Sequence, residues 1–188
     1  MRKFSWTVAM VFIVILAAQL NAAQATELIS LFQQPLLMTS AGQNAELQIA
    51  GILAKRAGLT YAISKFAAPQ ELRGVKTLVL VLGASMKGLG AAGLDIAEEK
   101  GRVTSLVEAC RKNQIPILCL HLGGEARRGQ QTDEFVLACL PSAAVAVVVK
   151  SGNTDKLFSR ICGEKNIPLI EIEKAADCLG PLKKLFKS

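Results

Sequence analysis

The sequence predicts an α/β domain of three layers, an open and mostly parallel sheet of five to six strands with helices on both faces. Three observations predict it. Apolar runs rich in leucine and β-branched residues recur at residues 77–82, 115–120 and 144–149, and such runs bounded by turn residues read as strands buried on both faces. Helix-period segments separate them, the alternation that builds parallel sheets from crossover units. Each run ends in a loop of glycines and polar side chains, at the edge where parallel sheets hold their ligands.

The chain has 188 residues and a net charge of +7. Residues 1–25 read as a secretory signal peptide. Arg2 and Lys3 give a basic start, residues 8–18 an apolar stretch, and Ala23-Gln24-Ala25 a small-x-small cleavage site. A single membrane anchor is the alternative, but the apolar stretch is short of the ~20 residues a span needs. Residues 26–188 are then expected to form one exported α/β domain with no stable membrane span, secreted or in the cell envelope. Without the two basic residues of the signal it carries 20 basic against 15 acidic residues, or +5.

Five strands and their helices follow from pattern. Residues 35–39 (PLLMT) open the sheet, and Leu47, Ala50, Ile52, Leu53 and Ala57 mark a helix face that Gly58 ends. Residues 60–66 alternate and read as a strand, residues 69–74 as a turn or single helical turn. The central strand, 77–82, runs into a loop at 83–94 that is unusually long for its position. Asp95 and Glu98 then form a capping box for a helix over 96–112. A strand at 115–120 follows, and Thr132 is a candidate N-cap for a helix through Leu140. After the strand at 144–149, Asn153 is a candidate cap for a helix through Glu164. A sixth, shorter strand at 168–172 and an amphipathic helix at 179–186 close the domain, Rossmann-like or flavodoxin-like.

Composition excludes several functions. Tyr61 is the only tyrosine and Trp6, in the signal, the only tryptophan, too few aromatics for a single-stranded nucleic-acid platform. No nucleic-acid partner is expected. The cysteines (110, 119, 139, 162, 178) have no C-x-x-C spacing, and their apolar contexts make them small buried hydrophobes, although export leaves one disulfide open. With His121 the only histidine, no metal site is expected.

Four loops should reach the carboxyl edge of the sheet. The first holds Ser40, Gln43 and Asn44, the second Gly83, Ser85, Lys87, Gly88 and Gly90. The third holds His121, Gly123, Gly124, Glu125, Arg127 and Arg128, and the fourth Ser151. Helix N-termini with added lysine and arginine favour anions, so a small polar or anionic metabolite is the expected ligand. The competing reading is that these glycines only make turns and that Ser40, Thr132 and Asn153 only cap. Gly88-Leu-Gly90-Ala-Ala-Gly93 spells G-x-G-x-x-G but does not follow its strand directly and lacks the acidic ribose partner. A P-loop fails because Leu89 stands where its lysine belongs. The cofactor is therefore unknown, with flavin poorly supported. A catalytic alternative makes Ser85 a nucleophile, with His121 as base oriented by Glu125 or Asp95, or with Lys87 in a dyad. A third is a non-catalytic envelope interaction domain using the C-terminal helix.

The runs PLLMTSAGQNAE, GASMKGLGAAGLD and HLGGEARRGQQTDEF resemble those of a family of secreted bacterial proteins of unknown function. The resemblance spans residues 35–186. It implies an exported Rossmann-like domain and carries over no activity. A binding module of this kind would serve an envelope transporter or sensor.

Overall fold

The computed structural model describes residues 32–186; the expected signal peptide lies outside them. Six strands form one sheet, every neighbouring pair parallel: β1 (Leu36–Ala41), β2 (Tyr61–Ile63), β3 (Thr77–Leu82), β4 (Ile117–His121), β5 (Val145–Val149) and β6 (Leu169–Ile172). Their order, β2-β1-β3-β4-β5-β6, is the flavodoxin-like one extended by a sixth strand. Every residue of β1, β3, β4 and β5 is buried, as continuous apolar runs require.

The helices are α1 (Glu46–Arg56), α2 (Met86–Ala92), α3 (Ile96–Lys112), α4 (Gln130–Cys139), α5 (Leu157–Lys165) and α6 (Leu179–Leu185). Strand order reverses at β1, so right-handed crossovers send α1 to one face and α3, α4 and α5 to the other. Two cores result. Val103, Leu106, Phe135, Phe158 and Ile161 pack on Leu78, Leu80 and Leu82. On the opposite face Leu47, Ala50, Leu53, Leu182 and Leu185 pack on Leu36, Met38, Val79 and Val81.

Several boundaries depart from expectation. The segment 83–94 is not a long loop, because seven of its residues form α2. Ser85 Oγ accepts the Gly88 N–H at 3.1 Å, Leu89 is buried, and Gly93 ends the helix in the left-handed region at φ +67°. Glycines 88 and 90 hide this helix from propensity. Strand β2 is three residues rather than seven, an edge strand whose Ala62 and Ile63 are exposed. Ile52, assigned to the buried face of α1, is 61% exposed. Helix α4 begins at Gln130, so Thr132 is not its cap; its hydroxyl instead accepts the Ala84 N–H at 2.9 Å. Asn153 does serve α5 from outside the helix, its Oδ1 accepting from Phe158 N–H at 3.1 Å. The Asp95–Glu98 capping box is present, at 2.8 and 2.9 Å.

All five cysteines are free and buried. Burial pushes the thiols of Cys110, Cys139 and Cys178 up to about 12. Burial raises the Cys119 thiol on β4 well above its usual value, and the nearby Cys139 and Cys162 add to the rise. Since the thiolate is the reactive form, a thiol reagent should modify essentially none of them in the native protein and all five after denaturation. Stoichiometric native labelling within minutes would contradict this packing.

Candidate functional site

The switch point lies between β1 and β3, where Ala41 sits beside Leu82 in register. The turns leaving those strands therefore start level and diverge above the sheet. A cleft of about 650 Å³ opens there. From the end of β1 and the turn after it come Ser40, Gln43 and Asn44; from α2 and its cap come Ser85, Lys87 and Gly88; from the turn after β4 comes Arg127. Seven of the expected residues thus meet on one surface. Lys65 and Phe66, from the connection between β2 and β3, complete the wall and were not foreseen.

Most polar groups of the β1 turn are committed to holding its shape. Ser40 Oγ accepts the Asn44 N–H at 2.8 Å, and Asn44 Nδ2 donates to the carbonyls of Val81 (2.8 Å) and Gly83 (2.9 Å). Asn44 thereby clamps β1 to the end of β3. Gln43, in the left-handed region at φ +56°, donates through Nε2 to both oxygens of Glu99 and to the Lys65 carbonyl. Glu99 is fully buried and also accepts the Gly42 N–H at 3.0 Å. Arg102 closes this network, donating to Glu99 at 2.7 and 2.8 Å and to the carbonyls of Ser40 and Ala67. Helix α2 docks on the same turn: Ser85 N–H donates to the Gly42 carbonyl at 2.8 Å. A Cβ on Gly88 would lie 2.0 Å from the Gln43 carbonyl oxygen, so only glycine fits that approach.

What remains free to meet a ligand is cationic. Lys65 and Lys87 are exposed and form no ion pair with any described residue. Arg127 uses only Nε, donating to Glu46 Oε1 at 2.8 Å. The Ser85 hydroxyl still has its proton to donate. No residue lining the cleft is acidic. Among the described residues, the two buried side-chain atoms lacking a hydrogen-bond partner are Asn44 Oδ1 and Glu46 Oε2, both at this turn.

The other expected residues lie elsewhere. His121 is fully buried, with Nδ1 3.0 Å from the Leu82 carbonyl oxygen and Nε2 3.1 Å from that of Gly124. Its ring sits 5.1 Å from Phe158. No hydrogen bond joins it to Ser85, Asp95 or Glu125, so the structure does not assemble the Ser85–His121 triad. Arg128 is consumed by structure. It donates to Asp133 (2.8 Å), to both oxygens of Asp155 (2.8 and 2.9 Å) and to the Gly152 carbonyl, and stacks on Phe158. Its guanidinium holds the Asp155 carboxyl down to about 2. Gly124 and Ser151 pack against each other, and Glu125 is exposed beside them. Gly83 packs behind Asn44, Gly123 behind Arg127, and Gly90 faces open space on α2. A second hollow of about 220 Å³ lies between Ala84 and the start of α4, sharing Arg127 with the first. Among the described residues no group of three or more His, Cys, Asp and Glu could hold a metal ion, and no helix is long and apolar enough to cross a membrane.

A family model for a domain of unknown function, DUF6305, matches residues 33–186. The chain belongs to the DUF6305 family. No curated protein matches it. Among solved structures, a hydroxyethylthiazole kinase from Pyrococcus horikoshii OT3 is similar at 15% identity and a TM-score of 0.47, over 76% of this chain and 49% of the kinase. The DUF6305 chain thus spans about half the kinase's length. The psychrotrophic esterase EstA from Pseudoalteromonas sp. is similar at 7% identity and a TM-score of 0.35, over 74% of this chain and 78% of the esterase. A GDSL-like lipase from Bacteroides thetaiotaomicron VPI-5482 is similar at 14% identity and a TM-score of 0.34, over 80% and 76%. Likeness at this level speaks to neither the activity nor the ligand of the DUF6305 chain.

The buried histidine makes a pH prediction. Burial pushes its pKa below the usual value, outweighing the two carbonyls that favour the protonated ring; Arg128 adds to the lowering and Glu46 opposes it. The unfolded chain, titrating near about 6.5, then binds a proton that the folded chain refuses. Stability is therefore full above that value and falls as pH drops from it towards the lowered folded value. Thermal melts of the wild type should lose stability between pH 7.5 and pH 5, and His121→Gln should flatten the profile. Equal slopes for the two proteins would contradict the assignment.

Proposed function

We propose that the chain is an exported binding module for a small anionic molecule, held in the cleft at the β1–β3 switch point. The observation that carries this reading is the convergence of Lys65, Lys87 and the unused end of Arg127 on a concave surface without a carboxylate. An anion there gains charge-assisted hydrogen bonds at a preformed site, and the rigid Gln43–Glu99–Arg102 network keeps the cost of ordering low. Export rests on the pattern of residues 1–25, and an envelope transporter or sensor is the partner such a module would serve. Catalysis by Ser85 is less favoured, because no base is hydrogen-bonded to it.

Thermal shift at low ionic strength tests the binding. A carboxylate or phosphate at ~100 times its Kd adds about 2.7 kcal/mol to folding stability, or roughly 5–10 °C in a domain of this size. The shift should vanish in Lys65→Ala/Lys87→Ala and persist in Lys183→Ala. A shift unchanged in the double variant, or no shift with any anion, would overturn the proposal.

A further inference from the structure

We infer that the ligand carries a compact apolar body beside its anionic group, so that the cleft selects carboxylates with a phenyl-sized or short acyl substituent over small polar anions. This rests on the anion-binding reading of the same cleft and deepens it.

The cleft also has apolar lining, from Phe66, Leu47, Ala91 and Ala92. Phe66 is 49% exposed, yet its backbone is fixed on both sides. The Lys65 carbonyl before it accepts from Gln43 Nε2 at 3.0 Å. Ala67 after it is fully buried, and its carbonyl accepts from Arg102 Nη1 at 2.9 Å. Both anchors lead to the buried Glu99 carboxylate. The aromatic ring is therefore presented from a rigid backbone, in the wall of a cleft, with half its surface left to solvent. Leaving that area wet forgoes hydrophobic stabilisation that a ligand's apolar face would supply.

Across the cleft, α2 contributes Gly88, Ala91 and Ala92, spaced three and four residues apart and so on one helical face. Leu89, in the same helix, is buried and anchors it. Small side chains facing an aromatic leave a slot, and Lys65 and Lys87 stand next to its walls, each adjacent in sequence to a wall residue. A carboxylate held between these ammonium groups and Arg127 would direct its substituent at Phe66. An anion without such a substituent would leave the apolar walls wet.

Titration calorimetry of the full chain with acetate, inorganic phosphate, phenylacetate and octanoate tests this. Phenylacetate or octanoate should bind about tenfold or more tightly than acetate, with the negative heat-capacity change that marks apolar burial. Phe66→Ala should remove most of that preference and of the heat-capacity change while leaving acetate binding within about twofold. Lys87→Ala should weaken all four. Because Phe66 is exposed, its truncation leaves the fold intact, which an unchanged melting temperature would verify. Acetate or phosphate binding as tightly as phenylacetate, with Phe66→Ala changing nothing, would overturn the inference and leave the anion site standing. Phenylacetate binding insensitive to both substitutions would overturn it as well, placing the ligand elsewhere. No binding by any of the four would overturn both readings.

Discussion

Replacing Glu99 with alanine should destabilise the folded chain by about 3–5 kcal/mol, the usual result of breaking a buried pair from one side. The carboxylate is fully buried and receives the Gly42 N–H, the Gln43 side chain and two bonds from Arg102. Its loss strands a guanidinium that is only 14% exposed and leaves the Gly42 N–H without its acceptor. At roughly 2–4 °C per kcal/mol for a domain of this size, the melting temperature should fall by roughly 6–20 °C. Arg102→Ala should cost a similar amount by orphaning the carboxylate. The double variant should cost less than the sum of the two, because neither charge is then left alone. Additive losses, or a Glu99→Ala melt like that of the wild type, would show that the network is not the keystone of the β1 turn. Binding should weaken with stability here, since the same carboxylate sets Gln43 and, through it, the Lys65–Phe66 wall.

Gly42→Ala is expected to be nearly as damaging for a different reason. The residue sits at φ +103°, and an added Cβ would lie 2.6 Å from the Gly83 carbonyl oxygen and 2.8 Å from Ala84 Cα. Neither neighbour is a flexible side chain, so the ends of β1 and β3 must part. Backbone strain of about 1–3 kcal/mol adds to a similar overpacking cost, giving a loss of about 2–6 kcal/mol. Parting those ends also breaks the Ser85–Gly42 hydrogen bond that seats α2 and Lys87, so anion binding should disappear in whatever fraction still folds. Gly90→Ala is the internal contrast. That glycine has open space around it and lies within α2, where alanine is favoured by roughly 0.5–1 kcal/mol. Urea denaturation of the two variants should therefore move in opposite directions. A shared direction would mean that the close approach at Gly42 is relieved elsewhere.

The sheet was legible because its signal is local and strong: runs such as Leu78 to Leu82 are apolar at every position, which only a strand covered on both faces tolerates. Four loops at one edge followed from parallelism alone, and the cleft did form from the first, second and third. Partners distant in sequence decided the rest. Lys65 and Phe66 read as the last two residues of a seven-residue strand, since the Gln43 amide that fixes them in the cleft wall comes from 22 residues away. Nothing local in the sequence marks Glu99, which Arg102 and the β1 turn bury. Arg127 and Arg128 are adjacent and chemically identical, yet Asp133 and Asp155 consume the second and leave the first half free. His121 ends its strand as expected, but packing beneath Gly152 turned it inward, where a Cβ on that glycine would lie 2.5 Å from Nε2. Helix α2 was hidden by its own glycines, and only the structure shows Ser85 capping its start and Gly93 ending it.

The trio Cys119, Cys139 and Cys162 comes from three separate elements, β4, α4 and α5, which meet only when the sheet acquires its covering layer. In an oxidising compartment such as the one we propose for this protein, sulfurs are coupled while they are accessible and ignored once they are sealed. Were the chain exported, its maturation would be a race between closure of that layer and cross-linking. A covalent link made too early between two of the three would wedge the layer apart.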